Sequence, residues 1–516
     1  MTAAGKTNVA VRRPLVAACL LLALTAACDV GGYGSATPPD GSAGSSAGGS
    51  VGAGGSSPGG SGGAGAVDGG MPVGGTAGTL PDPTAQPNFQ LRPEFAGPCA
   101  RAPSAIDVNL GNRAEDFVRA AFCQVNGTEP PAAVVSQWAD QLRTVEYVRR
   151  IDVVRTFCRD AGRACAMSYS NPWLADIPLE PVCARKTTRD LGAVLMFFSD
   201  CPRGVNCGMD WANTHAHGMN TAHPLFGFGS APVNYYNPRN AGYWYRQLLD
   251  ARWAGLQFFL VNTYGPELAG APDQLAMLGQ ALAKAGPGVK VALFDDPWSW
   301  GQPSSPPAFK TRPNLSDTEA AAQTLYQAKW KPFYSRVDKQ FWYLYKNRPF
   351  IYFYNAGTLL PLNASAAVFA RMKQLFTQDF GVTPFLVVEK AYFQDPGMPG
   401  VADSEFTWNT VSNSNGMKSR STLNGDIVDH YMVKWDPIGR DKAGTIATAG
   451  DRIIKGTKLL ADRLASSQDA AVAVIATWND LGEGTGIERN YDYYLADAWS
   501  PPTTFMSVTR AAQCGD

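Results

Sequence analysis

Apolar residues recur along this chain in two rhythms, and the change from one to the other marks its organisation. Between residues 112 and 168 the rhythm is helical: Ala114-Glu-Asp-Phe-Val-Arg-Ala-Ala-Phe-Cys returns its apolar positions to one face of a helix. Gly127-Thr-Glu-Pro-Pro breaks that pattern, and helical stretches resume at Ala132 and again over Val148 to Phe157. From Arg189 onward short, strongly apolar runs alternate with helical patterns. The runs are Ala193-Val-Leu-Met-Phe-Phe, Leu256-Gln-Phe-Phe-Leu-Val, Val289-Lys-Val-Ala-Leu-Phe and Pro349-Phe-Ile-Tyr-Phe-Tyr. They continue as Pro384-Phe-Leu-Val-Val, Ser404-Glu-Phe-Thr-Trp, Ile427-Val-Asp-His-Tyr-Met-Val and Ala471-Val-Ala-Val-Ile-Ala. Strands buried on both faces have this composition, and Tyr243 to Ala254 and Leu275 to Ala285 fit helices that cover them. Eight such strands in about 320 residues predict an α/β chain whose main body is a (β/α)8 TIM-type barrel, preceded by a small helical domain. The gaps near 390 and 410 are short for a full helix.

The chain opens differently. Lys6, Arg12 and Arg13 precede an apolar run, Leu15 to Ala27, that is too short to span a bilayer and reads as a signal peptide. From Asp29 to about Gln86 stretches such as Gly41-Ser-Ala-Gly-Ser-Ser-Ala-Gly-Gly offer no apolar area to offset backbone entropy, which predicts a disordered tether. Its root-mean-square reach is about 40 Å. The expected division is therefore 1–28 signal peptide, 29–87 tether, 88–187 helical domain and 188–516 barrel. Leu24-Thr-Ala-Ala-Cys28 resembles the lipobox of bacterial lipoproteins. The resemblance implies lipidation at Cys28 and an extracytoplasmic, membrane-anchored place in the cell envelope; cleavage near Ala27 with free secretion is the alternative.

Of ten cysteines, setting aside Cys19 and Cys28 leaves eight, an even number that argues for disulfides in an exported chain. The close pairs Cys158/Cys165 and Cys201/Cys207 are the natural partners, and seven of the eight precede residue 210, so the helical domain is expected to be stapled. Formal net charge is zero, which gives no electrostatic footprint for nucleic acid. Aromatic residues make up 11% against 17% charged, a balance common in carbohydrate-active proteins because pyranose C–H faces stack on Trp and Tyr. The same aromatics also serve as core.

Chemistry in a barrel gathers where strands end. Candidate contacts there are Asn262 and Tyr264 after the second strand, Asp295, Asp296 and Trp298 after the third, Glu389 after the fifth and Trp408 after the sixth. The bland alternative for the aspartates is a cap and a salt bridge. The last run ends in Trp478-Asn479-Asp480-Leu-Gly-Glu483-Gly-Thr-Gly-Ile-Glu488, with two carboxylates three residues apart beside apolar neighbours. Such a pair suits glycoside cleavage, in which one carboxyl protonates the leaving oxygen and the other serves water or acts as nucleophile. A loop with solvated acids is the competing interpretation. His215, His217 and His223 near Asp210 match no zinc spacing, so no metal is expected. No Gly-x-Ser-x-Gly elbow or phosphate loop follows a strand, and no cofactor is implied. Asp429-His430 shows nothing beyond its position.

Trp478-Asn-Asp-Leu-Gly-Glu-Gly-Thr, continued by Gly486-Ile-Glu488, resembles the Trp-Asn-Asp/Glu-x-x-Glu segment of glycoside hydrolase families 71 and 99. Ala254-Gly-Leu-Gln-Phe-Phe-Leu-Val-Asn-Thr-Tyr-Gly-Pro and Asn347-Arg-Pro-Phe-Ile-Tyr-Phe-Tyr are similar to two further stretches of those barrels. The resemblance implies an extracytoplasmic hydrolase of α-glucans or α-mannans with Glu483 as general acid and Asp480 as second catalytic carboxylate. It also implies substrate contacts at Trp478, Asn479 and Glu488. The family 71 pattern implies inversion and the family 99 pattern retention through the substrate's own hydroxyl; Asp480 stands where the latter has Glu. A non-catalytic carbohydrate-binding or adhesion lipoprotein on the same barrel is the alternative function. The region 112–168 separately resembles a small helical module of bacterial surface proteins, through Phe117, Asn126-Gly-x-x-Pro130, Trp138 and Arg150-x-x-Val-Val-x-x-Phe157.

Overall fold

The helical rhythm of the front segment becomes three helices: α1 (Ala114–Asn126), α2 (Ala132–Thr144) and α3 (Arg150–Asp160). Gly127, at φ 75°, ends α1 in the left-handed conformation that glycine adopts without strain. Two short parallel strands, β1 (Ala105–Asp107) and β2 (Ala166–Ser168), flank them. Phe117, Val118, Val135, Val153 and Phe157 supply the core of this module. Disulfides Cys99–Cys123 and Cys158–Cys165 staple it, the second being the pairing expected from sequence proximity. Cys201 and Cys207 lie outside the described residues.

The computed structural model describes residues 95, 97–103, 105–107, 111, 113–144, 150–168, 183–196, 241–263, 274–297, 300, 311–314, 317–354, 360, 364–408, 417–433, 456–479, 485–488, 494–495, 498–501 and 503–515. The expected signal peptide, lipid-bearing Cys28 and tether fall outside them. No helix among the described residues is long and apolar enough to cross a membrane.

All eight apolar runs become strands of one sheet. In chain order these are β3 (Asp190–Met196), β4 (Phe258–Thr263), β5 (Lys290–Asp295), β7 (Arg348–Phe353), β8 (Phe385–Glu389), β9 (Ser404–Phe406), β11 (Val428–Met432) and β12 (Val472–Ile475). Each pairs in parallel with the next where they adjoin, and β12 returns to pair with β3, Val474 beside Gly192. A two-residue strand, β6 (Leu344–Tyr345), forms a hairpin on β7. Helices Ala241–Trp253, Gln274–Ala285, Thr318–Leu325, Ala366–Phe380, Gly456–Ala465 and Thr504–Cys514 cover the sheet. The result is a nearly closed barrel of the TIM type.

The two short gaps have a structural explanation. Between β8 and β9 the connection is made of 3-10 turns, Lys390–Gln394 and Met398–Gly400. Between β9 and β11 an antiparallel strand, β10 (Met417–Ser421), takes the place of a helix. It was not legible as an apolar run because Lys418, Ser419, Arg420 and Ser421 are polar. Polar contacts fix it instead. Arg420 grips the buried Asp429 with two hydrogen bonds of 2.8 Å, and the backbone N–H groups of Glu405 on β9 and of Thr407 just after it donate to the hydroxyls of Ser421 (3.3 Å) and Ser419 (3.1 Å). Side chains thus complete the ring at this seam.

Alternation along each strand separates two cores. Phe258, Leu260, Phe294, Phe350, Phe385 and Phe406 fill the barrel interior, while Leu191, Phe259, Val291, Ile351 and Val388 pack outward against helices. Gly192 leaves room for the Phe258 ring, which a Cβ at that position would strike. Beneath the strands the last helix is latched: Arg189 donates to the Leu464 carbonyl (2.7 Å) and to Gln513 Oε1 (2.9 Å), and Cys183 is bonded to Cys514. Gly255 lies against that disulfide, its virtual Cβ 3.2 Å from each sulfur. The front module joins the barrel chain through Trp499, which Phe117 meets edge-on at 6.4 Å and over which Arg150 lies at 4.5 Å.

Candidate functional site

The segment after β12 is anchored more firmly than a surface loop. The Trp478 N–H donates to the Val194 carbonyl (2.7 Å), and its own carbonyl accepts from Ile487 (2.8 Å) and Glu488 (2.9 Å). Asn479 imitates a paired strand residue: its Oδ1 accepts from the Met196 N–H at 2.6 Å and its Nδ2 donates to the Met196 carbonyl at 3.2 Å. The hydroxyls of Thr477 and Thr485 meet at 2.8 Å, both buried. The two arms of the loop are therefore clasped together beside the end of β3. Asp480 and Glu483, the expected catalytic pair, come between the clasped arms in sequence and lie outside the described residues, as do Tyr264 and Trp298.

Trp478 and Glu488 belong to this anchorage. The Trp478 indole packs edge-on against outward-facing Phe259 at 5.3 Å, and its N–H donates to Gln247 on helix Ala241–Trp253. Gln247 in turn donates to Glu488 Oε2 at 2.8 Å. Burial holds the Glu488 carboxyl well above its ordinary pKa. These two side chains thus sit in the layer between strands and helices rather than inside the barrel.

Alternation also separates the two consecutive aspartates after β5. Asp295 is in phase with outward-facing Val291 and Leu293, and its carboxylate takes the Lys329 ammonium at 2.9 Å and the Trp330 indole N–H at 2.8 Å. The salt-bridge alternative describes it. Lys329 and Trp330 come from a π turn, Tyr326–Trp330, a widening of the helical ladder that is common near functional sites. Lys329 also donates to the carbonyls of Thr263 (3.4 Å) and Asp296. Asp296, in phase with interior Phe294, accepts from Asn262 Nδ2 at 3.4 Å. Asn262 continues the interior row Phe258–Leu260, and Glu389 continues the row Phe385–Val387.

Trp408 stands above these rows, its ring centroid 5.2 Å from Phe294, 5.4 Å from Tyr354 and 5.5 Å from His430. Asn262, Asp296, Glu389 and Trp408 are thus the sequence-selected residues that occupy interior phases of the strands. Three further buried polar residues near these positions were not selected from the sequence. His430 and Tyr352 occupy interior positions, which the alternation Val428/His430/Met432 and Phe350/Tyr352 could have indicated. Lys329 was passed over because a lysine is seldom a core residue, although its spacing from Ala322, Leu325 and Tyr326 places it on the apolar stripe of its helix. Among the described residues the grouping of metal-type ligands is Cys99, Cys123 and Glu129, and the two cysteines are bonded to each other.

Solved structures similar to this chain include a glycoside hydrolase family 99 endo-alpha-mannosidase from Bacteroides thetaiotaomicron in complex with bis-tris-propane. The identity is 14%, the TM-score 0.42, and the match covers 62% of this chain and 95% of that chain. A second structure of an endo-alpha-mannosidase of that family and organism is 13% identical, with a TM-score of 0.43 over 62% of this chain and 96% of that one. A glycoside hydrolase-like protein is 16% identical, with a TM-score of 0.45 over 64% and 96% of the two chains. Comparison with curated proteins finds no match. Residues 203–511, the body of the barrel, match the family described as a domain of unknown function, DUF5010, and the chain belongs to that family.

Proposed function

We propose that this protein is an extracytoplasmic glycoside hydrolase acting on a polysaccharide of the α-glucan or α-mannan class. Glu483 is the general acid and Asp480 the second catalytic carboxylate. The observation that carries the proposal is the clasped loop: Thr477 to Thr485, Trp478 to Ile487 and Glu488, and Asn479 to Met196 fix both arms of the segment bearing the two acids after the last barrel strand. Barrels gather their chemistry on this face, and the motif in the loop resembles that of families 71 and 99. Glu483 protonates the departing glycosidic oxygen, and Asp480 acts on water or on the substrate's own hydroxyl. Asn262, Asp296, Glu389 and Trp408 contribute substrate contacts, and Trp478, Asn479 and Glu488 hold the loop. Cys28 carries the lipid that anchors the protein, and Cys28→Ala is expected to move it from the membrane fraction to the soluble one.

The deciding experiment is reducing-sugar release from a panel of α-glucans and α-mannans by the full chain and by Glu483→Gln. Loss of at least a hundredfold in the variant is expected. The anomeric form of the first product, read by NMR, then separates inversion from retention. Binding without release in both proteins would instead favour the adhesion function.

A further inference from the structure

Four polar atoms inside the barrel meet no hydrogen-bonding partner among the described residues: Nδ1 and Nε2 of His430, the Tyr352 hydroxyl and Oδ1 of Asn262. Their side chains are fully or almost fully buried, at 0%, 0% and 1% exposure. All three occupy interior phases of their strands. The His430 and Tyr352 rings lie 6.1 Å apart, and His430 also meets Phe406 at 5.1 Å and Trp408 at 5.5 Å. Asn262, Phe294 and Tyr352 are register partners on neighbouring strands β4, β5 and β7, so Asn262 and Tyr352 stand about 10 Å apart at one level.

Buried polar groups without partners are costly, and a barrel core has apolar substitutes of nearly equal shape, Phe for Tyr and Leu for His. Their concentration in one part of the interior therefore points to a ligand. Its chemistry follows from the groups present. A neutral imidazole offers one donor and one acceptor, a phenol offers both, and the amide oxygen accepts. Burial drops the His430 pKa to about 3, so the ring is uncharged at neutral pH. An anionic ligand would find no countercharge in these three side chains, whereas sugar hydroxyls, each donor and acceptor, match all of them. Phe406 and Trp408 add aromatic faces for sugar C–H groups.

We propose that His430, Tyr352 and Asn262 form the floor of a site for one uncharged sugar ring, a deepening that rests on the glycoside hydrolase proposal above. Trp408 lies beside the floor, its ring centroid 5.5 Å from His430 and 5.4 Å from Tyr354.

The test needs no turnover. The chain contains four histidines, so ring-labelled protein gives four imidazole signals, and the one missing from His430→Leu is His430. Methyl α-glucoside and methyl α-mannoside are the probes. The expected result is a shift of the His430 signal with one of them, and at least tenfold weaker binding in Tyr352→Phe with no fall in Tm. No shift with either glycoside, or equal binding in Tyr352→Phe, would overturn the floor whether or not the protein releases reducing sugar. A shift in a protein that releases none keeps the floor and removes hydrolysis.

Discussion

Replacing Lys329 with Met is the most informative perturbation of the barrel. The ammonium is 1% exposed and lies 2.9 Å from Asp295 Oδ1, whose side chain is 3% exposed. It also serves the carbonyls of Thr263 and Asp296. At an effective permittivity of about 20, unit charges at this separation attract by about 6 kcal/mol, and burial of both ions offsets much of that. Methionine keeps the length of the stem but leaves the Asp295 carboxylate charged in the core, where among the described residues the Trp330 N–H remains to it. The expected loss is about 3–5 kcal/mol, the range for an orphaned buried charge. Removing both ions in Lys329→Met/Asp295→Leu should recover most of it, because neither charge then needs a partner. Urea unfolding at 25 °C, followed by tryptophan fluorescence, measures both variants. A single variant within about 1 kcal/mol of wild type, or a double variant no more stable than the single, would refute the argument.

His430 gives a pH signature. Its folded pKa is depressed to about 3 from 6.5, so its contribution is intact above pH 6.5 and is lost as pH falls toward 3, with a slope of up to about 1.4 kcal/mol per pH unit. Tm measured from pH 7.5 to 4.5 should fall less steeply in His430→Leu, and equal slopes would show that the imidazole is not buried neutral. Changing both Cys183 and Cys514 to Ser should cost about 2–5 kcal/mol, since their bond closes a 331-residue separation. An unchanged urea midpoint would mean that the Arg189–Gln513 hydrogen bonds hold the last helix unaided.

The strands were legible because a strand buried on both faces can hardly be written without consecutive large apolar residues, as in Phe258-Phe-Leu-Val. Strand β10 escaped because its position is held by Arg420 and by serine hydroxyls, which leave no hydrophobic trace. Cys158–Cys165 could be guessed because the two are seven positions apart, while Cys183–Cys514 depends on a closure that only the folded ring supplies. Asp295 and Asp296 looked equivalent in sequence. Their difference arises from strand phase, which sends one side chain to the helix layer and the other to the interior. The backbone-mimicking role of Asn479 was not legible because it requires Met196, nearly three hundred residues earlier, to be beside it. Lys329 was hidden by its residue type, since helical spacing from Ala322, Leu325 and Tyr326 puts position 329 on the buried face, where an apolar side chain is the rule.

The Cys183–Cys514 bond makes the barrel a covalent ring. A protease that cuts once anywhere between those residues opens the ring without dividing the molecule. The nicked protein keeps its mass, gaining only one water, and in a denaturing gel without reductant it runs as a single species; fragments separate only after reduction. Segments on the functional face can therefore be cleaved while both pieces stay on the same scaffold, where the strands that hold them remain paired.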